Sequence, residues 1–406
     1  MRKERGPEKS GTPWSQHALL HSVFFLMGSD LFLLPPLLPA IAATYDTSIA
    51  STAWVVTSFG LSYAAVSPLF GALTAHRPKR QVILLGVAVM TVGVLVCAAA
   101  PSLAVLLVGR VIGGLGGALV GPAIWAYLAE TSAPHERGRG IARGAAAYAG
   151  GQIAGVPLGT LLAAGTSWRW AFAVLALGLI ASGSLIALRL RPTPATARRE
   201  PGLKAALRFS AGLWRQPIFR LILTANSAAQ AARLGTYAYA GAIFAGQFGF
   251  GTGLLGLIGA VVGIGSFLGS LVAGPIVDWW ARLRRPAPLL GIGWALLLAI
   301  GLAVATTAPM WWLCMAGFAM SAFAGAGFFS TSQVFLTTVT AERRGPAVAW
   351  NNSAMYLGTA IGTTVLGAFA LDSAAFGVVS ASFGLLAAAV SVWIVVRLQR
   401  GGLESA

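Results

Sequence analysis

The chain has 406 residues, 57% of them hydrophobic and 10% charged, with a mean hydropathy of +0.77. An ordinary soluble domain gives roughly a quarter of its residues to charge, so this composition excludes a water-soluble fold and points to a chain dissolved in lipid. The formal net charge of +17 raises nucleic acid as a partner, a reading that depends on where the basic residues fall.

In chain order, the four basic residues between Met1 and Ser10 precede an apolar stretch too long for a signal-peptide core, so the first helix is expected to remain as an anchor. Apolar runs of about twenty residues then predict helices near 16–43, 51–75, 81–99, 103–131, 140–164 and 169–189. A basic segment from Arg191 to Gln216 follows, and six more helices are predicted near 217–247, 253–279, 287–307, 310–339, 346–370 and 374–396. The runs are rich in Ala, Leu and Gly and lack the alternation of barrel strands. The reading is an all-α integral membrane protein. Its parts are a tail (1–15), a six-helix bundle (16–190), a linker (191–216), a second six-helix bundle (217–398) and a second tail (399–406).

Twelve spans place 25 of the 28 basic residues on the side of the termini, with Arg169 alone on the other. This is the bias that keeps basic loops in the cytoplasm, and it sets both termini there. Charge scattered among short loops of a hydrophobic bundle also removes the nucleic-acid reading. Cys97 and Cys314 lie in apolar runs and are read as core residues, with no disulfide framework or zinc site. Trp168, Trp170, Trp279, Trp280, Trp311 and Trp312 fall near helix ends, as interfacial anchors do.

Weak internal similarity joins the halves: Ser67 and Gly71 correspond to Ser270 and Gly274, and Tyr148, Gly150 and Gly159 to Tyr356, Gly358 and Gly367. Two parallel six-helix repeats follow. Within the spans, charge is costly and marks function by default, which singles out Asp30, Arg110 and Arg233. Asp30 stands near the middle of its helix, where an acid can exchange protons and a moving cation such as Arg110 can change its proton affinity; a static ion pair is the alternative. Arg233 either binds an oxygen-bearing substrate group through its fork of donors or pairs with Asp30. Asn226 and Gln230 share its helix face. Tyr148, Gln152, Tyr237, Tyr239, Gln333, Asn351 and Asn352 are further polar candidates for substrate contact, or for hydrogen bonds between helices. Glu130 is expected to meet Arg137 or Arg139. The stretch Gly155-Val-Pro157-Leu-Gly159 predicts a kink.

Three stretches resemble the major facilitator superfamily, and within it the twelve-helix drug and sugar efflux branch of proton antiporters. They are Gly28 to Pro39 (GSDLFLLPPLLP), Gly109-Arg110 with Gly113, Gly116 and Gly117, and Gly151 to Thr160 (GQIAGVPLGT) followed by Trp168-Arg169-Trp170. The last is similar to the family's antiporter motif, which lends Gly155, Pro157 and Gly159 a gating role. The loop Gly71-Ala-Leu-Thr-Ala75-His76-Arg77-Pro78-Lys79-Arg80 resembles the signature loop after helix 2. There the resemblance implies gating by Gly71, Arg77 and Arg80, but Ala75 replaces the family acid and Pro78 its second glycine. Gly274 and Asp278 keep the glycine-to-acid spacing in the other half. The resemblance further implies that helices 1, 4, 7 and 10 line a central cavity, with Asp30, Arg110 and Arg233 facing water or substrate.

The expected function is secondary transport by alternating access. Proton-coupled efflux of a drug, sugar or metabolite leads, with a facilitator or proton-coupled importer as the alternative and a transport-dead sensor behind it. No cofactor is implied beyond a proton gradient, and no Walker-type phosphate loop occurs. The histidines, His17, His21, His76 and His135, all lie near predicted membrane faces, which argues against an embedded enzyme. A monomer in a bacterial inner membrane, in contact with lipid, protons and a small-molecule substrate, completes the expectation.

Overall fold

The computed structural model describes residues 14–74, 77–131, 137–192, 208–283, 285–340 and 343–403. Ala75, His76, His135, Arg284, residues 193–207 and both chain ends lie outside the described residues, as do the side chains of Arg137, Arg139 and Arg344. Among the described residues there are twelve helical passes: α1 (Trp14–Thr44), α2 (Ile49–Thr74), α3 (Lys79–Ala98), α4 (Leu103–Thr131), α5 (Arg137–Gly150, a π-turn Gly151–Gly155, then Val156–Gly165) and α6 (Trp168–Arg189). They continue as α7 (Pro217–Gln230, a π-turn Ala231–Gly235, then Ala240–Phe248), α8 (Thr252–Arg282), α9 (Pro288–Thr307), α10 (Trp311–Val339), α11 (Arg344–Leu366) and α12 (Ala374–Leu403). No strand occurs among the described residues.

Nine of these helices are long and apolar enough to cross a membrane by themselves. The other three are α5 and α7, each interrupted by a π-turn, and α11, whose hydropathy is lowered by Asn351 and Asn352. The predicted helix near 346–370 ends earlier, at Leu366, because the N–H groups of Gly367, Ala368 and Phe369 bond back to Thr363, Val365 and Leu366 and tighten the chain into turns. The stretch before α7 is more than a linker. Residues 208–211 are helical, Gly212–Arg215 form a 3-10 turn around the buried Leu213, and Trp350 Nε1 donates to Ser210 Oγ at 2.9 Å.

The two halves repeat one packing scheme. In the first, α4 packs on α2 and α3, α3 on α6, and α1 on α5; in the second, α10 packs on α8 and α9, α9 on α12, and α7 on α11. The repetition extends to single residues. A Cβ added to Gly93 would lie 2.4 Å from Gly113 N, and one added to Gly317 would lie 2.4 Å from Ala305 N. Gly93, Gly109 and Gly113 are matched, 208 residues later, by Gly301, Gly317 and Ser321. At the same crossing Cys97 Sγ donates to Leu106 O, and Cys314 Sγ donates to Ala305 O. Positions 97 and 106 correspond to 305 and 314, so each half keeps one thiol on opposite partners of an equivalent helix pair. Small residues give membrane helices the close approach on which their packing depends. Gly93→Val is therefore expected to lower the melting temperature in detergent, by about 1–3 kcal/mol of overpacking. Gly293→Ala, where an added Cβ meets nothing within 4 Å, should hold or raise it.

The halves meet along α1–α7, α2–α11 and α5–α8. Local chemistry explains the first seam. Pro36 and Pro39 lack N–H groups, so the carbonyls of Phe32 and Pro35 lose their helical partners. Tyr237 of α7 donates its hydroxyl to Phe32 O at 3.0 Å, and Gly241 lies against Pro35 O.

Candidate functional site

In the first half, Asp30 of α1 and Arg110 of α4 are each only 1% exposed. Arg110 Nη1 donates to both carboxylate oxygens, at 2.8 and 3.0 Å, while Nε reaches Val55 O at 3.4 Å and the guanidinium lies 4.5 Å from the Phe59 ring centre. Arg110 Nη2 is buried with no acceptor. Ser29, beside the acid, donates to Gly151 O at 3.2 Å, tying α1 to the π-turn of α5. That turn falls just before the kink predicted at Gly155–Gly159, where the chain is regular helix from Val156 onward. It lies just before Pro157, whose missing N–H leaves the ladder short of a bond.

The equivalent position in the second half holds a cation: Arg233 stands 203 residues after Asp30, inside the π-turn of α7. Arg233 Nη2 donates to Ser266 Oγ at 2.6 Å and Nη1 to Gln230 Oε1 at 3.5 Å, whereas Nε is buried without an acceptor. It does not pair with Asp30, whose carboxylate is taken by Arg110. A row of side-chain amides leads away from it. Gln230 Nε2 donates to Asn226 Oδ1 at 3.4 Å, Asn226 Nδ2 donates to Asn351 Oδ1 at 3.0 Å, and Asn351 Nδ2 donates to Gln333 Oε1. These residues come from α7, α11 and α10, so the structure joins into one chain groups that were separate in sequence.

Between the two polar clusters lies an aromatic seam. The rings of Tyr63 and Tyr356 are 4.0 Å apart, Phe59 is 5.9 Å from Tyr356, and Phe32 is 5.7 Å from Tyr237 and 6.4 Å from Tyr148. Sequence reasoning missed Phe32, Phe59, Tyr63 and Ser266, and used Tyr356 only as a repeat marker. The repeat marker Tyr356 held part of the signal, since it meets Phe59 and Tyr63 of α2 across the halves. The expectation that Asp30, Arg110 and Arg233 face water needs correction for this conformation. Arg233 is only 8% exposed, and all three charges are covered by the closed seam. Gln152 is buried against Gly263 of α8 with Oε1 unpaired, and Asn352 is half-buried.

A sequence model of the Major Facilitator Superfamily matches residues 20–315 and 232–404. The chain belongs to the major facilitator superfamily. Among curated relatives, an uncharacterized MFS-type transporter, YceJ of Bacillus subtilis (strain 168), is 29% identical over 352 residues, covering 86% of this chain and 87% of its own. The Multidrug resistance protein B homolog of Mycobacterium tuberculosis is 34% identical over 132 residues, 32% of this chain and 24% of its own. The solved structure of a bacterial homolog of the human lysosomal transporter Spinster, inward-facing and unoccupied, aligns with a TM-score of 0.69 at 16% identity, covering 96% of this chain and 95% of that one. That likeness carries the fold alone. The protein is thus a multi-pass membrane transporter of the superfamily, with twelve helices in two pseudo-symmetric bundles.

The residues expected from the superfamily's loop and antiporter motifs take varied places. Gly71 of α2 faces Ala349 of α11 across the halves. Arg77 is exposed, and Arg80 Nη2 donates to Ala187 O at the end of α6. Gly274 borders open space, and the exposed Asp278 has no cation within 4.0 Å among the described residues. Gly155 and Gly159 let Ser29 and Leu33 of α1 approach, and Pro157 lies against Gly256 of α8. Glu130 is 4.0 Å from Lys79 Nζ of α3, a partner the sequence did not suggest. Trp170, Trp279, Trp311 and Trp312 are exposed on the helical surface, but Trp168 is not an anchor. It is 2% exposed, donates to Thr44 Oγ1 at 2.9 Å and carries the Arg169 guanidinium 4.5 Å from its ring centre. Arg169 Nη2 in turn donates to Ala100 O at 2.9 Å, just past the end of α3, a use for the lone basic residue on that face.

Proposed function

We propose that this chain exports a small organic compound in exchange for protons, by alternating access across a bacterial plasma membrane, with its basic face and both termini in the cytoplasm. The observation that carries the reading is the buried Asp30–Arg110 pair, in which one guanidinium nitrogen serves both carboxylate oxygens. Protonating Asp30 removes the charge that holds Arg110 and frees α1 to move relative to α4. Through Ser29 the displacement reaches the π-turn of α5, and α5 forms the seam with α8. Protonation is thereby coupled to the contact between halves. Relatives named as multidrug resistance and thioclapurine efflux proteins support export, over the shorter segments they share.

In proteoliposomes with an imposed proton gradient, substrate addition is expected to move protons against the direction of substrate flux, read by a lumenal pH dye alongside a tracer. Protons moving with the substrate would make the protein an importer-type symporter. Tracer flux with no proton signal would make it a facilitator.

A further inference from the structure

The charge count of the buried core does not close. Asp30 and Arg110 neutralise each other, but Arg233 is buried to more than nine-tenths and has no carboxylate within ion-pair distance among the described residues. Two of its five N–H bonds are engaged, by Ser266 and Gln230, and both acceptors are neutral. Its Nε is buried and unpaired. A lone buried charge is tolerated when a partner arrives for it.

The surroundings say what that partner is. Gly325 of α10 leaves room for the Arg233 side chain, since a Cβ there would lie 2.4 Å from Cδ, so the cation is built into the half rather than swept to its surface. The amide row through Asn226, Asn351 and Gln333 adds polar groups but no charge. A single positive charge is balanced by a single negative one; a phosphate dianion would leave the same core with one charge in excess. The fork of a guanidinium also matches the two coplanar oxygens of a carboxylate.

We infer that the transported compound is a small organic monoanion whose carboxylate docks on Arg233, with Ser266 and Gln230 fixing the guanidinium. This rests on the reading of the protein as a transporter of small organic compounds, and it narrows the substrate to a chemical class.

The test is equilibrium binding to the purified full-length protein in detergent, by intrinsic tryptophan fluorescence, with no proton gradient. The probes are a matched series of benzoate, benzamide, benzylamine and phenylphosphonate, then the same series extended to naphthyl and cyclohexyl analogues. The expected result is that carboxylates bind about tenfold or more tightly than their isosteric amides, amines bind most weakly, and dianionic phosphonates fall below carboxylates. In Arg233→Gln the preference for carboxylate over amide should vanish. In Arg233→Lys, which keeps the charge and so guards against misfolding, it should shrink without reversing. Amides or amines binding as well as carboxylates in the wild type, or carboxylates failing to bind at all, would overturn the inference, as would a carboxylate preference intact in a folded Arg233→Gln protein. Binding needs no gradient, so loss of proton coupling with carboxylate selectivity intact would refute antiport alone. Proton movement evoked by neutral or cationic compounds would refute the anion alone.

Discussion

Asp30→Asn is expected to abolish substrate-evoked proton movement while leaving a folded, less stable protein. The substitution keeps side-chain volume and one oxygen for Arg110 Nη1, but it removes the charge balancing a guanidinium that is 1% exposed. Removing one partner of a buried pair costs about 3–5 kcal/mol, of which the amide's retained hydrogen bond recovers part, so a clear drop in melting temperature should accompany the loss of coupling. The double variant Asp30→Asn/Arg110→Gln separates the two roles. With both charges gone the core is neutral, and stability should return toward wild type, since buried pairs contribute little net stability against neutral replacements. Proton movement should not return. If the double variant recovers both stability and substrate-evoked proton movement, the pair is a packing device and the proton is carried elsewhere.

The fold was legible because the bilayer imposes a pattern that few residues can disguise. Apolar runs near 103–131 and 169–189 gave helices within a residue of α4 and α6, and basic loops fixed the parity of the count. The breaks were less legible. Pro157 announced a kink, but the π-turn at Ala231–Gly235 contains no proline and looked like continuous helix. The site was legible as single charges, since each of Asp30, Arg110 and Arg233 stands out against lipid, but its wiring was not. Arg233 selects Ser266 of α8 rather than Asp30, a choice made by how α7, α8 and α10 cross. The aromatic seam was hidden for another reason. Phe59 and Tyr63 resemble any lipid-facing aromatic in sequence, and only the meeting of α2 with α11 gives them a partner in Tyr356. Trp168 shows the converse: a position at a helix end suggested an interfacial anchor, while the loop at Thr44 and Tyr45 buries it.

Gly241→Val should open the face of the bundle opposite the termini. On α1 the proline-freed carbonyl of Pro35 points at α7, and a Cβ at position 241 would lie 2.2 Å from that oxygen. Neither side can yield cheaply, because one is backbone held by consecutive prolines and the other follows a π-turn and the turn at 238–239. The contact exists only while the halves are closed at this end, so valine penalises the closed state and leaves the open state untouched. Overpacking of this kind costs about 1–3 kcal/mol, and 1.4 kcal/mol is about a tenfold change in an equilibrium. The population open at this face should therefore rise by between about fivefold and about a hundredfold. Spin labels at Ala43→Cys and Gln247→Cys, both exposed at the ends of α1 and α7, read this directly, because Cys97 and Cys314 are buried. A longer-distance component is expected to grow in the valine variant. Tyr237→Phe, which strips the donor from Phe32 O, should push the same way by a smaller factor. An unchanged distance distribution in a folded Gly241→Val protein would mean that the α1–α7 seam does not gate this face, and that the closed state is held by the α2–α11 and α5–α8 seams.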